Sequence, residues 1–236
     1  MRIHIKVLAM IKEKVVVSIG GSVLVPGEED HVYIQELAMM LKEILPQVDV
    51  SVVCGGGKIA RYYTENGKRL GGTDYQLDLL GIAVTRINAS LLALAMNDQK
   101  NIPTTIDEAG RMVRSGSILV MGGTEPGHTT DAVAMMLARE IGARRVVNAT
   151  SVDAVYSDDP RRNPDAKRLS RITIDDLKEL VDDEHGAGKS SVFDPLGVRI
   201  ASEDKIDITI VDGRDLSDLR NAILGNQIKG TFIDSQ

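Results

Sequence analysis

Continuous apolar runs and segments of helical period take turns along this chain. Val15–Ile19 (VVVSI), Val50–Cys54 (VSVVC) and Ile118–Met121 are short apolar runs, and each leads into glycines: Gly20-Gly21, Gly55-Gly56-Gly57 and Gly122-Gly123. Residues 32–45 (VYIQELAMMLKEIL) have helical spacing and stop before Pro46; a helix opens at Lys58, and a longer one covers about Tyr75 to Met96. Further on, the spacing predicts helices over Thr130–Ile141, 174–182, 195–203 and 216–224. Strands are predicted at Arg145–Asn148, at Ile206–Val211 and near Thr231–Ile233, and the segment 150–171 reads as turns around Asp159-Pro160 and Asn163-Pro164. Strands that are apolar throughout, rather than alternating, are covered on both faces, so the pattern predicts an α/β fold with a parallel or mostly parallel sheet. No Pro/Ser-rich linker divides the chain, which reads as a single domain over 1–236 with two functional halves.

Composition narrows what such a domain handles. The 236 residues are 43% hydrophobic and 26% charged, as in ordinary globular proteins. A formal net charge of -6 and 3% aromatic residues without Trp speak against a nucleic-acid binder, which needs basic surface and stacking platforms. Cys54 is the single cysteine, which excludes an intrachain disulfide framework and a Cys-rich zinc site. No apolar run approaches the ~20 residues of a membrane span, and the N-terminus lacks a signal-peptide pattern. The expectation is a cytoplasmic protein with no membrane partner.

In a parallel sheet the carboxyl ends of the strands share one edge, where open α/β folds bind ligands. Glycines there leave backbone N–H groups free to form anion-binding nests, and a helix N-terminus behind the loop adds partial positive charge. A tight turn explains any one of these glycine loops equally well; three at one edge predict a site for several phosphates. Two familiar motifs do not account for them. No G-x-G-x-x-G opens a βαβ unit, and GAGKSS at 186–191 has Asp183 where a P-loop has its first glycine and follows a helix, not a strand.

The segments SIGGSVL, CGGGKIAR, DLLGIAVTRINA, GGTEPGHTTDAVA and SVDAVYSDDPRRNPDAK stand in the order and spacing of a known family. From about Lys14 onward the chain resembles the amino-acid kinase family, and within it the archaeal-type uridylate kinase branch. The resemblance implies a three-layer α/β/α sandwich that transfers the γ-phosphoryl group of ATP to UMP with Mg²⁺, usually as a homohexamer. The half over about 14–145 would hold the phosphate acceptor and the half over about 146–236 the ATP base and ribose. Carried over residue by residue, Gly21, Ser22, Gly57 and Arg61 fall on ATP positions, as do Thr150, Ser151, Tyr156 and Asp159. Gly56 and Asp78 fall on UMP positions, and Thr124, Glu125, Pro126, Gly127, His128, Thr129 and Thr130 form the UMP phosphate loop. Asp131 matches the carboxylate that organises the transfer; no residue is assigned as a metal ligand.

The chemistry suits these residue types. The acceptor phosphate is already a nucleophile, so the task is to position two polyanions and neutralise their charge, not to remove a proton. As a lone first-turn acid, Asp131 would be an ordinary partner of the helix dipole, but among phosphate-binding groups an anion implies the organising of cations or donors. Many members of the wider family carry lysine where Ser18 stands; Ser151 replaces a more usual Asn, and Ala154 a usual Gly. Lys58, after the second glycine loop, is the expected substitute for the missing charge, with Lys189 as its rival. Tyr156 is equally a core-edge tyrosine or a wall of the ATP base pocket, and Arg86 serves the site or a subunit contact. Met10 is read as an alternative start, so that loss of residues 1–9 would change little. Two alternatives stand beside the UMP kinase reading: a kinase of the same fold acting on a small acid or phosphorylated substrate, and a nucleotide-binding storage or sensor protein without turnover.

Overall fold

β1, Glu13–Ile19, shows how the layers form: Val15, Val17 and Ile19 enter one core and Val16 the opposite one, as the two-residue period of a strand requires. The computed structural model describes residues 12–27, 29–97, 101–158, 160, 163–183 and 193–236. After β1 come α1 (Gly21–Leu24), α2 (Asp30–Ile44), β2 (Val48–Cys54), α3 (Gly57–Arg69), α4 (Asp74–Met96), α5 (Ile106–Met112), β3 (Leu119–Met121) and α6 (Thr130–Ile141). β4 (Arg145–Thr150), β5 (Val155–Tyr156), β6 (Arg168–Leu169) and β7 (Arg171–Thr173) follow. α7 (Ile174–Asp183), α8 (Pro195–Asp204), β8 (Asp207–Asp212), α9 (Leu216–Leu224) and β9 (Thr231–Asp234) complete the chain.

Seven strands form one sheet in the order β3-β2-β1-β4-β8-β9-β7, while β5 and β6 pair as a separate two-stranded sheet. From β3 to β8 every neighbour is parallel; β9 runs antiparallel to β8 and parallel to β7. The chain steps from β1 outward to β2 and β3, then returns to the other side of β1 for β4 and β8. That reversal is a topological switch point between β1 and β4. One core packs α2, α4 and α9 against the sheet, and the other packs α5, α6, α7 and α8. The expected mostly parallel three-layer sandwich is the architecture found.

Five short elements differ from the expectation. α1, α5, β5, β6 and β7 lie where no regular element is expected, and β5 and β6 sit inside the segment read as turns. α4 joins shorter apolar runs into a 23-residue helix that is long and apolar enough to cross a membrane, by length and composition alone. Its Ile82, Val84, Ala89, Leu92, Ala93 and Met96 are instead buried in the protein. Residues 1–11 lie outside the described residues, and with them the expectation about Met10.

Candidate active site

The glycine loops meet as the sequence predicts, and the structure adds a reason for their composition. The last residues of the strands are in register, Ile19 beside Cys54 and Ala149, Val53 beside Met121, and Thr150 beside Asp212. Gly20 N–H donates to Ala149 O at 2.9 Å and Gly55 N–H to Ile19 O at 2.8 Å, which extends the ladder into the loops. A Cβ on Gly21 would stand 2.3 Å from Gly57 N, and one on Gly57 2.4 Å from Gly21 C. Gly57 also has φ +61, a conformation that glycine adopts without strain. These two glycines therefore serve the backbone-to-backbone contact of their own loops before any approach to a ligand. Arg61 reinforces the junction from α3, its Nη2 donating to Ser22 Oγ at 3.1 Å. Lys58, the second residue of α3, is exposed and has no ion-pair or hydrogen-bond partner among the described residues.

The third glycine loop hangs from α4. Asp78, Thr85 and Arg86 are spaced by seven and eight residues, hence lie on one helical face. Asp78 Oδ2 accepts from Gly127 N–H at 2.8 Å, and Thr85 Oγ1 accepts from Gly123 N–H at 2.7 Å while donating to Ile82 O. Arg86 donates from Nε to Gly123 O at 3.0 Å and from Nη2 to Thr124 O at 2.9 Å. Within the single chain the Arg86 guanidinium is thus engaged by the loop, through Gly123 O and Thr124 O. Gly122 has no room for a side chain, since a Cβ would lie 2.7 Å from the backbone of Thr85 and Arg86. His128 turns its Nδ1 towards Glu125, 3.5 Å from Oε1.

At the end of the loop, Thr129 caps α6 by accepting from Ala132 N–H, and Asp131 follows in the first turn. Ser18 Oγ, from β1, donates to Asp131 Oδ1 at 2.9 Å, and Asn148 Nδ2, from β4, approaches Oδ2 at 3.4 Å. Where many family members carry lysine, this chain therefore carries a hydroxyl that holds the carboxylate. Burial away from water pushes the Asp131 carboxyl up to about 6; the Ser18 bond works against that, the Asp194 charge adds to it, and the Asn148 bond opposes it. No ion pair to Asp131 is present among the described residues.

Asp194 is the site residue that sequence reasoning missed. Its Oδ1 caps α8 by accepting from Leu196 and Gly197 N–H, while its Oδ2 accepts from Thr129 Oγ1 at 2.7 Å. Asp before Pro195 was legible as a helix start. Nothing local showed that this start faces α6.

At the ends of β4 and β8, Gly213 N–H donates to Thr150 O at 2.8 Å, and the Arg214 guanidinium clasps both oxygens of Asp212 at 2.8 Å each while reaching Ser151 O at 3.1 Å. Thr150 and Ser151 therefore stand at the same edge as Gly20 and Gly21. Tyr156 lies on the separate small sheet, and its hydroxyl donates to Asp153, which also receives Arg168. Asp159 and Lys189 lie outside the described residues. Two surface depressions, of about 420 Å³ beside α7 and α8 and about 430 Å³ beside α9, lie away from the glycine edge.

Glycine loops and two helix N-termini gathered at the switch point of a parallel sheet are the layout of a doubly wound α/β protein that takes anionic ligands at its carboxyl edge. The chain belongs to the amino acid kinase family, whose sequence profile matches residues 13–212. It is 41% identical over 226 residues to a protein named uridylate kinase from Methanocaldococcus jannaschii, covering 94% of this chain and 99% of that one. A protein of the same name from Pyrococcus abyssi is 39% identical over 224 residues, with 94% and 99% covered. Among solved structures, uridylate kinase from Archaeoglobus fulgidus superposes with a TM-score of 0.84 at 38% identity, covering 93% of this chain and 99% of that one. UMP kinase from Bacillus anthracis, at 20% identity and a TM-score of 0.76, shares the fold, with 95% and 96% covered.

Proposed function

We propose that this chain is a UMP kinase: the bond between the γ-phosphorus of ATP and its bridging oxygen breaks, and a bond forms to a phosphate oxygen of UMP, giving UDP and ADP. The observation that carries the reading is the suspended loop 124–130, which leads directly into Asp131 at the head of α6. The names of its near full-length relatives support the same acceptor.

In this reading Gly21, Ser22, Gly57 and Arg61 receive the ATP phosphates, and Thr150, Ser151, Tyr156 and Asp159 its nucleoside. Gly56, Asp78 and residues 124–130 receive UMP. Asp131 orients the donors and cations around the transferring group, while Lys58, unpaired among the described residues, supplies the charge that Ser18 lacks. The donor set also fits Mg²⁺. Asp131 and Asp194 are hard oxygen donors on neighbouring helix starts, and together with the phosphates of ATP they would hold the ion. When bound, Mg²⁺ neutralises charge on the phosphates. The acceptor half over about 14–145, the ATP half over about 146–236, a cytoplasmic location and a homo-oligomer complete the proposal.

The test is release of ADP in a coupled assay with UMP, CMP, dTMP, carbamate and N-acetylglutamate as acceptors. UMP should be strongly preferred, because a site built for one base edge leaves buried groups unpaired with another. Turnover of carbamate or N-acetylglutamate instead would move the chain to another kinase of the fold, and no turnover of any acceptor would leave a binding protein.

A further inference from the structure

The guanidinium of Arg86 fixes two successive carbonyls of the acceptor loop, those of Gly123 and Thr124, and its Nη2 also lies 3.2 Å from Thr104 O, just before α5. No cis peptide bond occurs among the described residues. In a trans peptide the C=O and N–H groups point in opposite directions. Holding the carbonyls of Gly123 and Thr124 on one cation therefore turns the N–H groups of Thr124 and Glu125 away from it. Neither N–H has a hydrogen-bond partner among the described residues. The N–H groups of Gly123 and Gly127 on either side are already taken, by Thr85 and Asp78. Two adjacent amides are left open and aimed away from the same cation, which is the makings of an anion-binding nest. A cation at their carbonyl ends also polarises them in the sense that strengthens donation.

We infer that Arg86 is a positioning residue for the acceptor: it orients the amides of Thr124 and Glu125 to receive the acceptor's phosphate and does not itself touch substrate. The inference rests on the acceptor reading of loop 124–130 above. A mere staple between α4, the loop and the start of α5 would explain the hydrogen bonds but predicts no selectivity for the phosphate.

That difference sets the experiment. The ¹⁵N-labelled wild type is titrated with UMP, uridine and inorganic phosphate, and the amide resonances of Thr124 and Glu125 should move with UMP and phosphate. Arg86→Met should weaken UMP and phosphate by about tenfold or more, the scale of losing a charge-assisted hydrogen bond, and leave uridine and the KM for ATP unchanged. Arg86→Lys, which keeps one charge without the fork, should fall between, and serves as the reading variant if Arg86→Met does not fold. Equal weakening of UMP and uridine, or unchanged UMP affinity in a folded variant, overturns the inference. If the wild type does not phosphorylate UMP while phosphate binding still depends on Arg86, the acceptor reading fails and the positioning role stands.

Discussion

The charge of Asp131 is set by burial, and it leads stability and activity in opposite directions. Its carboxyl titrates near 3.8 in the unfolded chain and at about 6 in the folded one. Between those values the folded state keeps a proton that the unfolded state has released, so stability falls as pH rises through the window. Above it both states are ionised and the loss is complete. Asp131→Asn carries no charge to desolvate. It should raise the thermal midpoint of the ligand-free protein at neutral pH, and the gain should vanish below the ordinary carboxylate value. The shift corresponds to roughly 3 kcal/mol, reduced towards about 1 because solvent still reaches part of the side chain. The same variant should lower kcat by at least ~100-fold, about 2.7 kcal/mol of transition-state stabilisation. A residue kept at a cost to stability and needed for turnover fits a functional site. Turnover within a few-fold of wild type would reduce Asp131 to a helix first-turn acid, and an unchanged midpoint would remove the burial argument. Asp131 and Thr129 were legible because their own segment carries the pattern, whereas Asp78, by itself an ordinary helix acid, stood out only through the family resemblance. Asp194 was not, because its partner Thr129 lies 65 residues away and only the packing of α8 beside α6 joins them. Ser18 and Asn148 did leave a signal, polar side chains inside strands buried on both faces, whose meaning appears only when both meet one carboxylate.

At the level of elements, α4 works as a scaffold: its buried face fills the core, while Asp78, Thr85 and Arg86 hold the loop after β3. Its boundaries were legible from period and apolar content, as were those of α6 and α9, which match the expected residues. α5 was missed although Thr105 and Glu108 spell a capping signal, and Thr105 accepts from Glu108 N–H. α1 has four residues, too few for any period to show. The contact between the first two glycine loops gives a test at this scale. Gly21→Ala would place a methyl 2.3 Å from Gly57 N, against backbone that cannot rotate away. It should destabilise by about 1–3 kcal/mol, as overpacking does, and weaken ATP binding by separating the loops. Gly81→Ala is the matched control. It lies within α4, and its new Cβ would meet only Thr64 Cγ2 at 3.9 Å. Helix propensity then predicts a neutral change or a gain of up to ~1 kcal/mol. Thermal melts of both variants with and without ATP decide it; equal midpoints would mean that the loops do not need to touch.

For the whole molecule, the mostly parallel sheet could be deduced from strands that are apolar throughout, but the strand order and the antiparallel β9 could not. β9 is fixed by long-range pairing, with Thr231 beside Ile210 and Ile233 beside Ile208, and no local pattern encodes direction. What the fold leaves uncovered is as informative as what it buries. α3 buries none of its own residues and packs on α4; the two helices expose Leu94 at 72%, Tyr62 and Tyr75 at 63% and Ile87 at 60%, and Leu70, just after α3, is exposed at 88%. Single exposed apolar side chains are normal, but several on two packed helices are what a contact with another chain would cover. A second copy of the chain is the occupant that the proposed homo-oligomer requires. Ile87→Glu and Leu94→Glu test it, because both side chains point to solvent in the single chain and their replacement costs its core nothing. Light scattering after gel filtration should give a mass above that of one chain for the wild type, and a lower one for the double variant, with the secondary structure intact. A glutamate at either position in a buried interface would stand unpaired in apolar surroundings, a penalty large enough to split the contact. A monomeric wild type, or a double variant of unchanged mass, would show that copies of this chain do not meet through α3 and α4.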